Sequence, residues 1–205
     1  MDVKRQRGSI VGHGVAALLL LLLGACSPLP VAPEPSIVIP RVGEPEPLVD
    51  EDSLRRVMMT RHNVERAKWG APPLGWDDAL VADAKAYSVR LAARGEITHD
   101  LSIRGQQGEN LWRGTRDSFT YDQMVQSMID EERLFRPGLF PDVATNARWQ
   151  DVAHYTQMIW PTTTRLGCAT TRGIFYDYLV CRYAPAGNIT GSPVGGYVPS
   201  APADE

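Results

Sequence analysis

His154-Tyr155-Thr156-Gln157-Met158-Ile159-Trp160, followed by Gly167-Cys168 and then Cys181-Arg182-Tyr183-Ala184-Pro185-Ala186-Gly187-Asn188, is the stretch that decides the fold. A histidine opens a Thr/Gln/Trp segment just ahead of two cysteines, which sets a metal-capable imidazole beside a hairpin that a disulfide could staple. Leu166 to Thr170 and Phe175 to Tyr183 are rich in Thr, Tyr, Val and Leu, with Gly173 between them, and read as an antiparallel hairpin. Cys168 and Cys181 then face each other, subject to register. His154 to Trp160 fits a short helix or a strand equally well by pattern.

Upstream, the texture is helical. A first helix is expected from about Asp52 to Trp69, with Leu54, Val57, Met58, Val64 and Ala67 at helical spacing and Gly70 and Pro72-Pro73 as the stop. A second starts after the N-cap Asp77, buries Leu80, Val81, Ala84, Tyr87 and Leu91, and ends at Gly95. A third starts near Thr120, where Thr120-x-x-Gln123 forms a capping box, and closes at Pro137. Its stripe is Tyr121, Met124, Val125, Met128 and Phe135. Helices first and strands later give an α+β class rather than a β-α-β winding.

The ends of the chain give its address. Lys4, Arg5 and Arg7 precede an apolar run from Val15 to Leu23 and then Leu23-Gly24-Ala25-Cys26, the layout of a secretory signal over residues 1–25. That run is shorter than the ~20 residues a membrane-spanning helix needs. Leu-Gly-Ala-Cys resembles a bacterial lipobox, so Cys26 is the expected lipidation site and the mature N-terminus, anchored to a membrane without spanning it. Ser27 after it resembles the class sorted to the outer membrane. Prolines 28, 30, 33, 35, 40, 45 and 47 make residues 26–50 a semi-extended tether. Residues 51–190 suffice for one single-core domain, and the Gly/Pro/Ala-rich 191–205 reads as a loose tail.

Setting Cys26 aside leaves the pair Cys168 and Cys181, which in an oxidising compartment is most simply a disulfide. Loss of the leader takes the formal charge from -3 to -5, and no basic run survives, so nucleic acid is excluded as a partner.

Taken in order, Arg61-His62-Asn63, Arg66, Pro73-Leu74-x-Trp76-Asp77-x-x-Leu80, Gly108-Glu109-Asn110-Leu111 and the two stretches quoted first resemble the CAP superfamily. That superfamily comprises cysteine-rich secretory proteins, venom antigens and plant pathogenesis-related proteins. The resemblance covers about residues 54 to 190. It implies an α/β/α sandwich with a small, mainly antiparallel central sheet between helical layers. It also implies a cleft lined by two histidines and two glutamates, here His99, Glu109 and His154, with the second acid on the third helix. A helical wheel does not separate Glu131 from Glu132. The family's aromatic four residues after the acid selects Glu131, which Phe135 follows, although Met128 stands where the family usually has tryptophan. Such a set suits a divalent cation such as zinc, held by His99 and His154 with solvent positions open. The leading expectation is therefore a lipid-anchored binding module for a cation, a lipid- or sterol-like molecule or a protein. One alternative is a metal-assisted, peptidase-like hydrolase with Glu109 or Glu131 as base; another is an envelope interaction protein with an inert cleft.

Overall fold

The computed structural model describes residues 50–198. The signal segment, Cys26, the tether up to residue 49 and residues 199–205 lie outside the described residues.

Among the described residues four α-helices and six short strands follow in the order α1 (Glu51–Lys68), β1 (Gly75–Trp76), α2 (Asp78–Arg94), β2 (Gly108–Thr115), α3 (Tyr121–Ile129), β3 (Gly138–Leu139), α4 (Ala153–Met158), β4 (Arg165–Arg172), β5 (Tyr176–Ala184) and β6 (Pro193–Val194). The main sheet has the order β1-β4-β5-β2, with β1 parallel to β4 and the other pairings antiparallel. Strand alternation splits its side chains between two cores. Leu111, Ala169, Tyr178 and Val180 pack with Ala84, Tyr87 and Leu91 of α2. Leu166, Cys168, Leu179, Cys181 and Tyr183 face the other way, into a larger core built with α1, α3 and α4. The α/β/α sandwich is thus as expected. Helix α2 comes unusually close to the sheet at Gly167, where a Cβ would lie 2.5 Å from the Val81 amide.

Local sequence explains most boundaries. Asp50 caps α1 through the Asp52 and Ser53 amides, Asp77 caps α2, and Thr120 with Gln123 closes a capping box on α3. Gly95 ends α2 in the left-handed conformation, where only glycine escapes a Cβ penalty. Cys168 and Cys181 lie directly opposite in the β4–β5 ladder and form the disulfide.

Three expectations are corrected, and one open choice is resolved. Val64, placed on the α1 apolar stripe, is 55% exposed; the buried positions include His62, Glu65 and Arg66. These polar groups are inside because each has partners there. Arg66 donates to the carbonyls of Pro72, Met158, Trp160 and Thr163 at 2.7–3.0 Å, stapling α1 to the end of α4. The third helix does not run to Pro137: α3 stops at Ile129 and a 3-10 turn follows over Asp130–Leu134. The segment after residue 190 is not loose throughout. Strand β6 pairs with β3, and Val194 is 1% exposed, because its side chain completes the larger core. His154 to Trp160, open between helix and strand, resolves as helix over Ala153–Met158.

Candidate functional site

The first histidine–glutamate pair joins the α2–β2 connection to strand β2. Glu109 Oε1 accepts from His99 Nδ1 at 2.7 Å and from the Asp100 amide at 3.0 Å. Its side chain is 4% exposed, whereas that of His99 is 61% exposed. Arg182, opposite Glu109 in the ladder and itself buried, stands behind the pair. Its Nη1 lies 3.1 Å from Glu109 Oε2, and its Nη2 donates to Asp100 at 3.0 Å. The Nη1–Oε2 approach lacks hydrogen-bond alignment, so attraction between charges, in a poorly screened interior, joins them. Tyr87 covers the guanidinium at 4.9 Å.

The second pair has the same logic. Glu131 Oε1 accepts from His154 Nδ1 at 2.6 Å, and Oε2 accepts from the His154 and Tyr155 amides at 3.0 Å each. Helix α4 has no side-chain cap of its own at Val152. Glu131 therefore caps it across space, on the positive end of the helix. The 3-10 turn makes this reach. It advances more per residue than an α-helix, so an α-helical wheel loses the direction of Glu131 just where it matters. Glu132 turns elsewhere, to Lys68 at 2.9 Å. The structure thus separates two adjacent acids by partner.

An ionised carboxylate only accepts hydrogen bonds, so Nδ1 of both histidines carries the proton. In the neutral ring Nε2 then holds the lone pair. This is the orientation that carboxylates impose on metal-bound or proton-transferring imidazoles.

A buried relay positions the second histidine from below. His62 Nδ1 faces the Met58 carbonyl at 2.7 Å, which fixes it as a donor, so Nε2 accepts from the Tyr183 hydroxyl at 2.9 Å. Tyr183 in turn accepts from Asn110 Nδ2, which also donates to the His154 carbonyl, both at 3.0 Å. Burial drives His62 down to about 4, and nearby Arg66 pushes the same way against the hydrogen bond to Met58. Burial likewise raises the Tyr183 hydroxyl well above its ordinary range. The relay is therefore neutral at pH 7. Gln157 accepts from the Gly187 amide at 3.0 Å, and Asn188 bonds the Ala153 carbonyl and the Thr156 hydroxyl.

Glu109 and Asn110 are neighbours on β2, an edge strand, and their side chains take opposite faces. One holds His99 on the α2 face; the other holds the His154 carbonyl on the α4 face. His99 thus meets Glu109 and His154 meets Glu131, as two separate pairs on opposite faces of one edge strand. Among the described residues no group of three or more His, Cys, Asp or Glu side chains is arranged to hold a metal ion. The carboxylates are committed to Nδ1 and to backbone amides. Arg182 is the functional residue that sequence reasoning missed. Its signal was a charge at an apolar-face position, in step with Tyr178 and Val180.

A disulfide-stapled α/β/α domain with two carboxylate-oriented histidines at a sheet edge defines the class. The model of the "Cysteine-rich secretory protein family" matches residues 59–183, and the chain belongs to this family, the CAP domain proteins. It is 38% identical over 131 residues to pathogenesis-related protein 1A of Nicotiana tabacum, covering 63% of this chain and 74% of that one. It is 28% identical over 176 residues to a venom allergen 3 homolog of Dinoponera quadriceps, covering 70% and 72%. Among solved structures it resembles NaASP2, crystallised with Zn2+, at TM-score 0.59 and 21% identity over 74% of this chain and 88% of that one. It also resembles Na-ASP-1, at TM-score 0.56 and 22% identity, over 72% of this chain and 44% of that longer one. These two likenesses establish the fold. Among the described residues no helix is long and apolar enough to cross a membrane.

Proposed function

We propose that this protein is an exported, lipid-anchored binding module whose ligand site is the β2 edge, with His99 and His154 presenting Nε2 to a divalent cation or to an acceptor-seeking group of a ligand. The observation that carries this reading is the duplicated arrangement of Glu109 with His99 and Glu131 with His154. Two separate carboxylates, each largely out of solvent, fix the same imidazole nitrogen and leave the same one free.

A weakly held cation with open coordination positions would suit this donor set better than a closed structural one. Two imidazoles would supply two positions and leave the others to water or ligand. A bound ion would supply Lewis acidity there, while Glu109 and Glu131 keep the rings oriented. The Zn2+ crystallised with NaASP2 belongs to that protein and is a reason to use zinc as the probe. Export accords with the family's secretory character and with the disulfide; anchoring rests on Leu23-Gly24-Ala25-Cys26.

Titration calorimetry with Zn2+ tests the site. Binding to the parent that disappears in His99→Ala/His154→Ala, and that weakens in acid because a protonated imidazole cannot ligate a metal, is expected. Equal affinity in the parent and the double variant refutes it. Intact mass of the processed chain tests the anchor, because a mature N-terminus other than lipid-modified Cys26 removes it.

A further inference from the structure

We infer that the tip of the β4–β5 hairpin is a second membrane contact, in which Ile174 and Phe175 enter an anionic lipid surface and Arg113, Arg116 and Arg172 meet its phosphates. Ile174 is 80% exposed and Phe175 63% exposed, adjacent at the far end of an otherwise well-buried hairpin. Hydrophobic side chains of this size are seldom left together in water at a rigid turn. This turn is held: the Gly173 amide donates to the Tyr176 carbonyl at 2.7 Å, and the Arg116 amide donates to the Phe175 carbonyl at 3.0 Å.

Charge selects the partner. The three arginines around the tip are exposed. Asp117 bridges Arg116 and Arg172, and the buried Asp177 lies 4.0 Å from Arg172. Arg113 rests on the Tyr176 ring at 4.6 Å and donates to the Gly95 carbonyl, neither of which neutralises it. Three arginines against Asp117 and Asp177 leave one net positive charge, carried by Arg113, beside an apolar tip on a chain whose formal charge is -3. Apolar residues ringed by arginine suit the interface of an anionic bilayer, which the remaining, acidic surface avoids.

The histidine pairs lie at the far end of the sheet from the hairpin tip, since Glu109 is six residues from Thr115, which pairs with Tyr176, roughly 20 Å along the strand. Docking by the tip points the proposed ligand site away from the lipid. This inference takes from the anchored reading only the nearness of a membrane.

The test uses the mature chain, residues 26–205, carrying Cys26→Ser, so that neither the leader nor lipidation plays a part. It is co-sedimented with vesicles of equal phosphatidylcholine and phosphatidylglycerol, and with pure phosphatidylcholine vesicles. Binding to the mixed vesicles that falls with salt is expected, and Ile174→Ser/Phe175→Ser should weaken it at least about tenfold without altering the circular dichroism spectrum. The emission of Phe175→Trp less that of the parent, which has five tryptophans, should shift to the blue on the mixed vesicles alone. No binding of the Cys26→Ser chain, or affinity of the double serine variant within twofold of it, overturns the inference. Failure of lipidation, read separately by mass, leaves this result standing.

Discussion

Replacing Glu131 tests the link between the fold and the site at one atom. Its carboxylate accepts three hydrogen bonds: two from the first-turn amides of α4 and one from His154 Nδ1. Losing an N-terminal helix cap costs about 0.5–2 kcal/mol. A charge-assisted bond to the imidazole adds about 1 kcal/mol when the ring can partly rehydrate. Glu131→Ala should therefore lose about 1.5–3 kcal/mol in urea unfolding. Glu132→Ala should lose no more than about 0.5 kcal/mol, because its pair with Lys68 is solvent-screened. Glu131→Gln is more telling. Its carbonyl can keep the α4 amides, but its NH2 then faces Nδ1 and can only donate. His154 must shift its proton to Nε2, and long-range 15N–1H correlation spectra report that tautomer directly. Zinc affinity should fall with it, since the lone pair has moved. If His154 keeps its proton on Nδ1 in Glu131→Gln, or if Glu131→Ala is as mild as Glu132→Ala, the capping-and-orienting role is refuted.

Two further predictions concern the polar core. Arg66→Met removes a fully buried guanidinium and strands four carbonyls, so it should cost about 3–5 kcal/mol in chemical denaturation; a loss below 1 kcal/mol would show that those carbonyls find other partners. His62 is held down to about 4, against 6.5 in the unfolded chain, so between those values the unfolded state binds more protons. Stability should fall as pH drops from 6.5 to 4, by up to about 3 kcal/mol from this residue. In His62→Gln that part of the slope should vanish; an unchanged slope would assign it to other groups.

The sequence made the local structure legible because short-range chemistry writes it. The caps Asp77 and Thr120, the stop at Gly95 and the α2 stripe follow from contacts a few residues apart. The hairpin and its disulfide needed only β-rich segments around a glycine and two cysteines left after Cys26. Recognisable motifs then supplied the layers and named His99, Glu109, Glu131 and His154.

What escaped was set by partners distant along the chain. Nothing within one turn of Arg66 says that it belongs inside; the four carbonyls that hold it come from residues 72 to 163. Val64 lost its place on α1 to such polar groups. Arg182 is buried because Glu109, Asp100 and Tyr87 converge on it from three elements. Glu131 could not be told from Glu132 by helical geometry, since the helix tightens at that point and the deciding amides lie more than twenty residues away. The sequence alone determined the three long helices, the stapled hairpin and the residue types of the candidate site. Only the tertiary structure decided which atoms those residues spend on holding each other and which nitrogen each histidine keeps free, because hydrogen bonds between remote segments are fixed by packing and not by spacing.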